Sequence, residues 1–359
     1  MGTIRVEAVP VKSYFLGFFG FDHLQLVFQD ETDLIDRQDY WFVLEGIQDG
    51  SLGSATLGAS GQDGHTSLGT SNGAGRDELV GKIGTPEQRG SRIIASGPAA
   101  GAIWDAITHY AADIEAQKFP YIAFSFPFSV SPTINSTSLI ASVLHSVGID
   151  LNNLMPFNVR FSPGPETILG TTGSDNLTTT YHFTTLAGGD SSDTLHGSSG
   201  GIWLDKLYGG RGDDTLQWST GSNILSGGQP RLIYAFDGTD TVDYSGAGHV
   251  EITTTEHAIE NKVADFTATF SGGTDELFSI EKITWDQRSD TVIGGPGVEL
   301  IEKPIELDFK GNSGGRGDEL GFSAGSTPLL VNVTTGNVIS VQAQSNEGLD
   351  AGYWVKSAE

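Results

Sequence analysis

The octapeptide G-G-R-G-D-D-T-L at residues 209–216 constrains the fold of this chain more than any other segment. Glycine lets the backbone adopt positive φ angles, so this segment can turn sharply. The turn then presents carbonyl oxygens, and Asp214 adds a carboxylate, which are the ligands that a hard cation such as Ca²⁺ takes. The residues after the turn predict a short strand in which Leu216 points inward.

Inward-pointing apolar residues recur at a nine-residue spacing around this octapeptide. A slip of three residues separates two runs: Leu177, Leu186, Leu195 and Leu204, then Leu207, Leu216 and Leu225. Val242 adds a further rung, and Val292 and Ile301 repeat the nine-residue step beside another glycine cluster. A linker of random sequence would not keep this register, so the spacing predicts a right-handed parallel β-roll built from nonapeptide repeats.

The aspartates follow a second period. Asp175, Asp193 and Asp214 each stand two residues before an inward leucine, where the intervening rungs have Thr184, Ile202 and Asn223. Successive nonapeptides of a two-sided roll turn on opposite edges, so the aspartate-bearing turns would stack along one edge. We therefore expect a calcium row on that edge and little or no metal on the other. The expected ligand residues are Asp175, Asp193, Asp214, Asp240, Gly209 and Gly212. The alternative is a metal-free roll in which the aspartates only cap turns.

On these residues, the segment from about 168 to 325 resembles the RTX calcium-binding repeats of secreted bacterial proteins. The sequences F-S-I-E-K-I at 278–283 and S-D-T-V-I-G at 289–294 resemble a connector of that family. Two departures are that Pro230 breaks one rung and that G-G-R-G-D-E-L at 314–320 is one residue short. The resemblance implies bound calcium and type I secretion, with an uncleaved C-terminal signal and an extracellular location.

The formal net charge of −26 excludes some partners and favours another. It argues against nucleic acid and against anionic membrane surfaces. It suits carboxylates that calcium partly neutralises, in which case ion binding would supply folding free energy; the alternative is that acidity only keeps the protein soluble. The chain has no cysteine, so neither a disulfide nor a thiolate is available. We expect neither a signal peptide nor a transmembrane segment.

Residues 1–165 predict an α+β domain, followed by the roll over residues 166–359, whose C-terminal portion is degenerate. Apolar runs predict strands at 18–28, 40–44 and 121–126, and a Gly/Ser/Thr-rich loop spans 51–76. Helical spacing covers 99–117, and a second helix, capped by Asn135 or Ser136, would end at Gly148. An isolated copy of the calcium repeat, N-G-A-G-R-D-E-L, stands at 72–79.

His23 in the first strand, with Gln25 two residues later, and Ser136 at a helix N-terminus suggest a base and a nucleophile. At these residues the domain resembles the permuted papain-like fold of the lecithin:retinol acyltransferase type over residues 14–150. The resemblance implies a hydrolase or acyltransferase that acts on an amide or ester. Ser136 stands where that family often has cysteine. It is a native nucleophile, an engineered replacement of cysteine, or part of a non-catalytic relative; the simplest alternative is an ordinary strand histidine and a helix cap.

Two functions follow from these patterns. One is a secreted calcium-binding protein with a papain-like hydrolase domain that uses His23, Ser136 and Gln25. The other is a non-enzymatic, calcium-dependent binding or cell-surface module.

Overall fold

The computed structural model has mixed α and β content, with several sheets and few helices. The chain divides into two compact units, Met1–Phe126 with Pro132–Thr172, and Pro127–Ser131 with Gly173–Glu359. The structure describes residues 2–10, 22–30, 40–49, 56–60, 67–70, 90–125, 129, 131–156, 159, 162–179, 183–198, 204–229, 238–248, 250–253, 258–259, 262–263, 266–280, 282–286, 291–294, 305–310, 319–322, 329–332, 338–340 and 352–356.

The first unit contains a six-stranded antiparallel sheet. Its strands are β1 (Gly2–Pro10), β2 (Asp22–Asp30), β3 (Tyr40–Asp49), β4 (Thr56–Ser60), β5 (Ser67–Thr70) and β6 (Ser91–Gly97). The order is β4-β3-β2-β1-β6, and β5 also pairs with β3. Side chains alternate between the two faces of a strand, so Ile4, Phe28 and Phe42, which the register aligns, share one face.

Two helices, α1 (Ala100–Gln117) and α2 (Ser136–His145), pack on that face. The ring of Phe28 stacks on the indole of Trp104, with 5.5 Å between their centroids. On the neighbouring strand, Gly46 lies against the Cα atom of Ser136, so closely that a Cβ atom on Gly46 would clash with it. The core of this unit is therefore the interface between the helices and one face of the sheet. A short strand, β7 (Thr167–Leu169), lies against α2, where Leu169 N donates to Ser142 Oγ at 2.8 Å.

Asn135 organises the start of α2. Its Oδ1 atom accepts hydrogen bonds from the backbone N–H groups of Thr137 (2.8 Å) and Ser138 (3.2 Å), and Ser138 Oγ accepts from Asn135 N. This is a capping box, which satisfies N–H groups that a helix otherwise leaves unpaired. The Asn135 amide also donates to the carbonyl oxygens of Ala123 (2.9 Å) and Pro163 (3.0 Å). One buried side chain thus joins three segments of the unit.

The expected helices are confirmed, whereas two expectations for the first unit are wrong. Of the expected strand at 121–126, the described residues 121–125 form only a single antiparallel bridge, between Ile122 and Ile134, directly after Pro120. The expected loop at 51–76 contains β4 and β5, both paired with β3. The isolated repeat copy at 72–79 lies outside the described residues.

The second unit contains two long sheets, between which successive strands alternate as far as β14. Sheet B comprises β8 (Asn176–Thr178), β10 (Thr194–His196), β12 (Thr215–Gln217), β14 (Thr241–Tyr244), β20 (Lys282–Asp286), β22 (Ile305–Lys310), β24 (Leu329–Asn332), β25 (Val338–Ser340) and β26 (Gly352–Lys356). Within this unit, sheet C comprises β9 (Thr185–Gly189), β11 (Lys206–Gly210), β13 (Ile224–Ser226), β15 (Val250–Thr253), β18 (Phe266–Phe270), β19 (Gly273–Phe278), β21 (Thr291–Gly294) and β23 (Glu319–Phe322). A separate pair joins β16 (Ala258–Ile259) to β17 (Lys262–Val263).

Parallel pairing aligns the apolar rungs of each sheet. Sheet B aligns Leu177, Leu195, Leu216, Val242 and Ile283. Sheet C aligns Leu186, Leu207, Leu225 and Leu277. Apart from Leu177, which is 4% exposed, these side chains are at most 1% exposed, so the two rows form the core of the unit.

The nine-residue register is interrupted in two places among the described residues. Leu204 is not a rung, since β11 begins after it and Leu207 aligns with Leu186. Between Tyr244 and Leu277 the chain makes an excursion that includes the antiparallel strands β15 and β18. Val292 lies in β21, paired with Ile252 and Leu320, whereas Ile301 lies outside the described residues.

We expect Asn135→Ala to lower the free energy of unfolding of the first unit by about 2–4 kcal/mol, through the lost cap and the loss of the Asn135 donor to the part-buried carbonyl oxygens of Ala123 and Pro163. Urea unfolding followed at 222 nm reports this unit, because both helices of the described chain belong to it. The control is Asn153→Ala, whose side chain is exposed. An equal loss of unfolding free energy in Asn135→Ala and Asn153→Ala would contradict the assigned role of Asn135.

Candidate metal-binding edge

Four aspartates stack along the edge formed by the turns that lead into sheet B, here called the first edge. Asp193 Oδ1 accepts from Asp175 N at 2.7 Å, Asp214 Oδ1 from Asp193 N at 2.8 Å, and Asp240 Oδ1 from Asp214 N at 2.9 Å. The backbone repeats the pattern, since Thr215 N donates to Asp193 O at 2.8 Å. These four residues, named here the first ladder, include every aspartate that the sequence selects as a ligand.

A column of bare glycines faces the first ladder. A Cβ atom on Gly188 would collide with Asp193 Oδ2, and the same holds for Gly209 with Asp214 Oδ2 and for Gly227 with Asp240 Oδ2. The register explains this, because each glycine follows an aligned leucine of sheet C by two residues. Any side chain at these positions would displace a ladder carboxylate.

Gly209 is among the ligand residues expected from the sequence, whereas Gly188 and Gly227 are not. The signal was present, since G-G-D-S-S-D at 188–193 matches G-G-R-G-D-D at 209–214 at the first, second and sixth positions. Ser191 takes the fourth position with a φ of +73°, where Gly212 has a φ of +120°. A Cβ atom on Gly212 would also meet the Ser191 carbonyl group, so the two turns are stacked closely.

Asp193 is a buried member of the first ladder with a raised pKa. Its side chain is 2% exposed, and within the described part of the chain its Oδ2 atom has no hydrogen-bond partner. Burial raises the pKa of Asp193 to about 8; the hydrogen bond from Asp175 N opposes this, while the negative charges of Asp214, Asp175 and Asp190 add to it. A buried carboxylate in this position needs either a proton or a cation.

The donor set of this edge fits a hard cation. Asp193 Oδ2 and the carbonyl oxygen of Gly209 both border the point where a Gly188 Cβ atom would stand, so two oxygens converge where no side chain can fit. Ca²⁺ takes oxygen ligands of both kinds. Among the described residues no group of three or more His, Asp or Glu side chains could hold a metal, so a cation here would depend on backbone carbonyls as well.

A second ladder runs along the turns that lead into sheet C, the second edge. Asp205 Oδ1 accepts from Thr184 N, Asn223 Oδ1 from Asp205 N, and Asp275 Oδ1 from Asn223 N, at 3.0–3.1 Å. The prediction that Ile202 occupies the rung between Thr184 and Asn223 is wrong. The slip of three residues places Asp205 there instead.

The chain's own donors satisfy both carboxylates of the second ladder. Asp205 Oδ2 accepts from Ser198 N at 2.8 Å and from Ser198 Oγ at 2.9 Å. Asp275 Oδ2 accepts from the Tyr244 hydroxyl at 3.0 Å, and its Oδ1 accepts from the Asn223 amide at 2.8 Å. The second edge therefore has carboxylates, which the sequence analysis did not expect, but they are already hydrogen-bonded.

The structure does not bring Gln25 to Ser136. Position 25 alternates with Phe28 along β2 and so belongs to the face that the helices do not cover, where Gln25 Nε2 donates to Glu7 Oε2 at 3.3 Å. Ser136 is buried under Gly46 on the helix-covered face. His23 pairs with Val9 and shares the alternation of Gln25; its side chain lies outside the described residues.

The comparisons with known proteins leave the fold and the site to be interpreted on their own geometry. No protein-family model matches the chain, and no curated protein and no solved structure is significantly similar to it. Neither helix in the described part of the chain combines the length and the apolar character that crossing a membrane requires.

We expect Gly188→Ala to lower the free energy of unfolding of the second unit by about 1–3 kcal/mol, because the added Cβ atom overpacks a filled site. Gly101→Ala in α1 is the matched control, because nothing lies within 4 Å of a Cβ atom there, and it should be neutral or stabilising. Thermal unfolding by calorimetry separates the two results. A Gly188→Ala protein as stable as the wild type would contradict the packing of the glycine column.

Proposed function

We propose that the second unit is a calcium-binding parallel β-roll of the RTX type, and that the chain acts outside the cell as a non-enzymatic, calcium-dependent binding or cell-surface module. Three features support this proposal: the alternation of parallel-paired strands between two sheets as far as β14, the glycine column, and the first ladder. The net charge of −26 fits a chain that works where calcium is abundant.

The observation that carries the proposal is the contrast between the two ladders. On the second edge, donors of the chain itself occupy the oxygens of Asp205 and Asp275. On the first edge, Asp193 Oδ2 is buried without a hydrogen-bond partner among the described residues, beside the Gly209 carbonyl. A divalent cation fits the first edge, whereas at the second edge it would have to displace hydrogen bonds that the chain already makes.

The residues that would hold calcium are the ladder aspartates, with Asp193 foremost, and turn carbonyls such as that of Gly209. Bound calcium supplies positive charge to a row of closely spaced carboxylates. Asp175, Asp193 and Asp214 repel one another along this row, which opposes stacking of the turns. Bound calcium would offset that repulsion and stabilise the stacked turns, so ion binding would add to the free energy of folding.

Calcium titration of the full chain tests this proposal. We expect calcium to raise the stability of the second unit, by about 2.7 kcal/mol at a free concentration 100 times the dissociation constant. Circular dichroism and calorimetry in calcium and in chelator measure the shift, and isothermal titration measures the affinity. Magnesium at the same concentration serves as the comparison ion.

Asp193→Asn should weaken calcium binding at least tenfold. The asparagine keeps an acceptor for Asp175 N and can donate to the nearby Gly209 carbonyl, so the chelator-treated variant should stay as stable as the wild type. Asp213→Asn is the matched control, because it removes the same charge one residue from the ladder at an exposed position. Unchanged stability in chelator and calcium, or equal affinities of the two variants, would refute the proposal.

Hydrolase or acyltransferase activity through His23, Gln25 and Ser136 stays a prediction that the geometry does not favour. Ser136 is the first residue of a helix whose start is occupied by the Asn135 network, and Gln25 belongs to the other face of the sheet. We expect a fluorophosphonate probe to label wild type and Ser136→Ala equally weakly. Labelling that is lost only in Ser136→Ala would establish the catalytic alternative.

A further inference from the structure

Three side chains at the end of the second ladder form a fully buried polar cluster, Asn223, Asp275 and Tyr244. Asp275 receives three hydrogen bonds in this cluster: from Asn223 N at 3.0 Å, from Asn223 Nδ2 at 2.8 Å, and from the Tyr244 hydroxyl at 3.0 Å. Asp275 and Tyr244 are 0% exposed, and Asn223 is 1% exposed.

The cluster lies where the chain returns from its excursion. Asn223 directly precedes β13 and Asp275 lies in β19, so their contact spans 52 residues and fixes the alignment of Leu225 with Leu277. Tyr244 comes from sheet B and also contacts Phe270 of β18, with 5.8 Å between the ring centroids. The same three residues therefore attach the excursion to both sheets.

Only negative or neutral groups face Asp275 in the described part of the chain. Tyr244 donates from β14, Asn223 donates from the turn before β13, and the carboxylate of Asp205 acts on Asp275 from two rungs earlier in the second ladder. Burial raises the pKa of Asp275 to about 8, against the hydrogen bonds of Tyr244 and Asn223, which lower it. An opened excursion would return Asp275 to water, where a carboxyl group ionises near pH 3.8.

We propose that the Asn223–Asp275–Tyr244 cluster is a proton-dependent latch that holds the excursion on the two sheets and loosens as the pH rises, independently of calcium. The sign follows from the two states. The closed latch keeps the Asp275 proton, which Oδ2 then donates to the Tyr244 hydroxyl oxygen, up to about pH 8, whereas the open form releases it above about pH 4. Closure is therefore strongest in acid, and opening increases up to tenfold per pH unit until it levels off near pH 8.

Hydrogen exchange of the β18 and β19 amides, corrected for intrinsic rates, measures this opening between pH 5 and 9. The wild type should show the rising opening constant, with the same slope in calcium and in chelator. Asp275→Asn keeps an acceptor for Asn223 but has no proton to lose, so its opening constant should be independent of pH. Asp213→Asn, the control, should behave as the wild type.

Tyr244→Phe provides a second test that does not depend on the folding of Asp275→Asn. Loss of the tyrosine hydroxyl removes a hydrogen bond to the ionised carboxylate. The pH at which the opening constant levels off should therefore be higher in this variant. A wild-type opening constant without pH dependence, or equal slopes in wild type and Asp275→Asn, would overturn the latch. Neither result would bear on calcium binding at the first edge, because the Asp193→Asn titration measures that binding separately.

Discussion

The close contact between a bare glycine and a buried aspartate is the constraint on which the second unit depends. Gly188, Gly209 and Gly227 each leave the space that a ladder carboxylate fills, and the aligned leucines of both sheets follow from the same stacking. With a side chain at any of the three positions, the turn would widen and the strands beyond it would lose register. The unit thus combines its apolar core with a row of carboxylates, three of which, Asp193, Asp214 and Asp240, are at most 2% exposed.

The two edges resolve the problem of buried carboxylates in different ways. On the second edge the chain supplies its own donors, from Ser198, Asn223 and Tyr244, and this edge needs nothing from solution. On the first edge the backbone supplies one hydrogen bond to each of three carboxylates, and Asp193 is left with an oxygen that calls for a positive charge. We interpret this difference as a division between a permanent edge and an ion-dependent edge.

The second unit was more predictable from sequence than the first. Leucines that repeat every nine residues can be counted directly, and the aspartates two residues before them mark the first ladder. The slip at Leu204 was visible, but the replacement of Ile202 by Asp205 depends on which residues actually pair. In the first unit the helices follow from apolar spacing, whereas β1, β4, β5 and β6 depend on long-range pairing. The separation of Gln25 from Ser136 follows from strand alternation once Phe28 is known to face the helices.

The most direct test is a crystal structure grown in calcium, with anomalous scattering to locate the ions. The account predicts ions between successive turns of the first edge, with Asp193 Oδ2 and a turn carbonyl as ligands, and none between the turns of the second edge. Ions distributed equally over both edges, or an ion-free first edge at millimolar calcium, would contradict it.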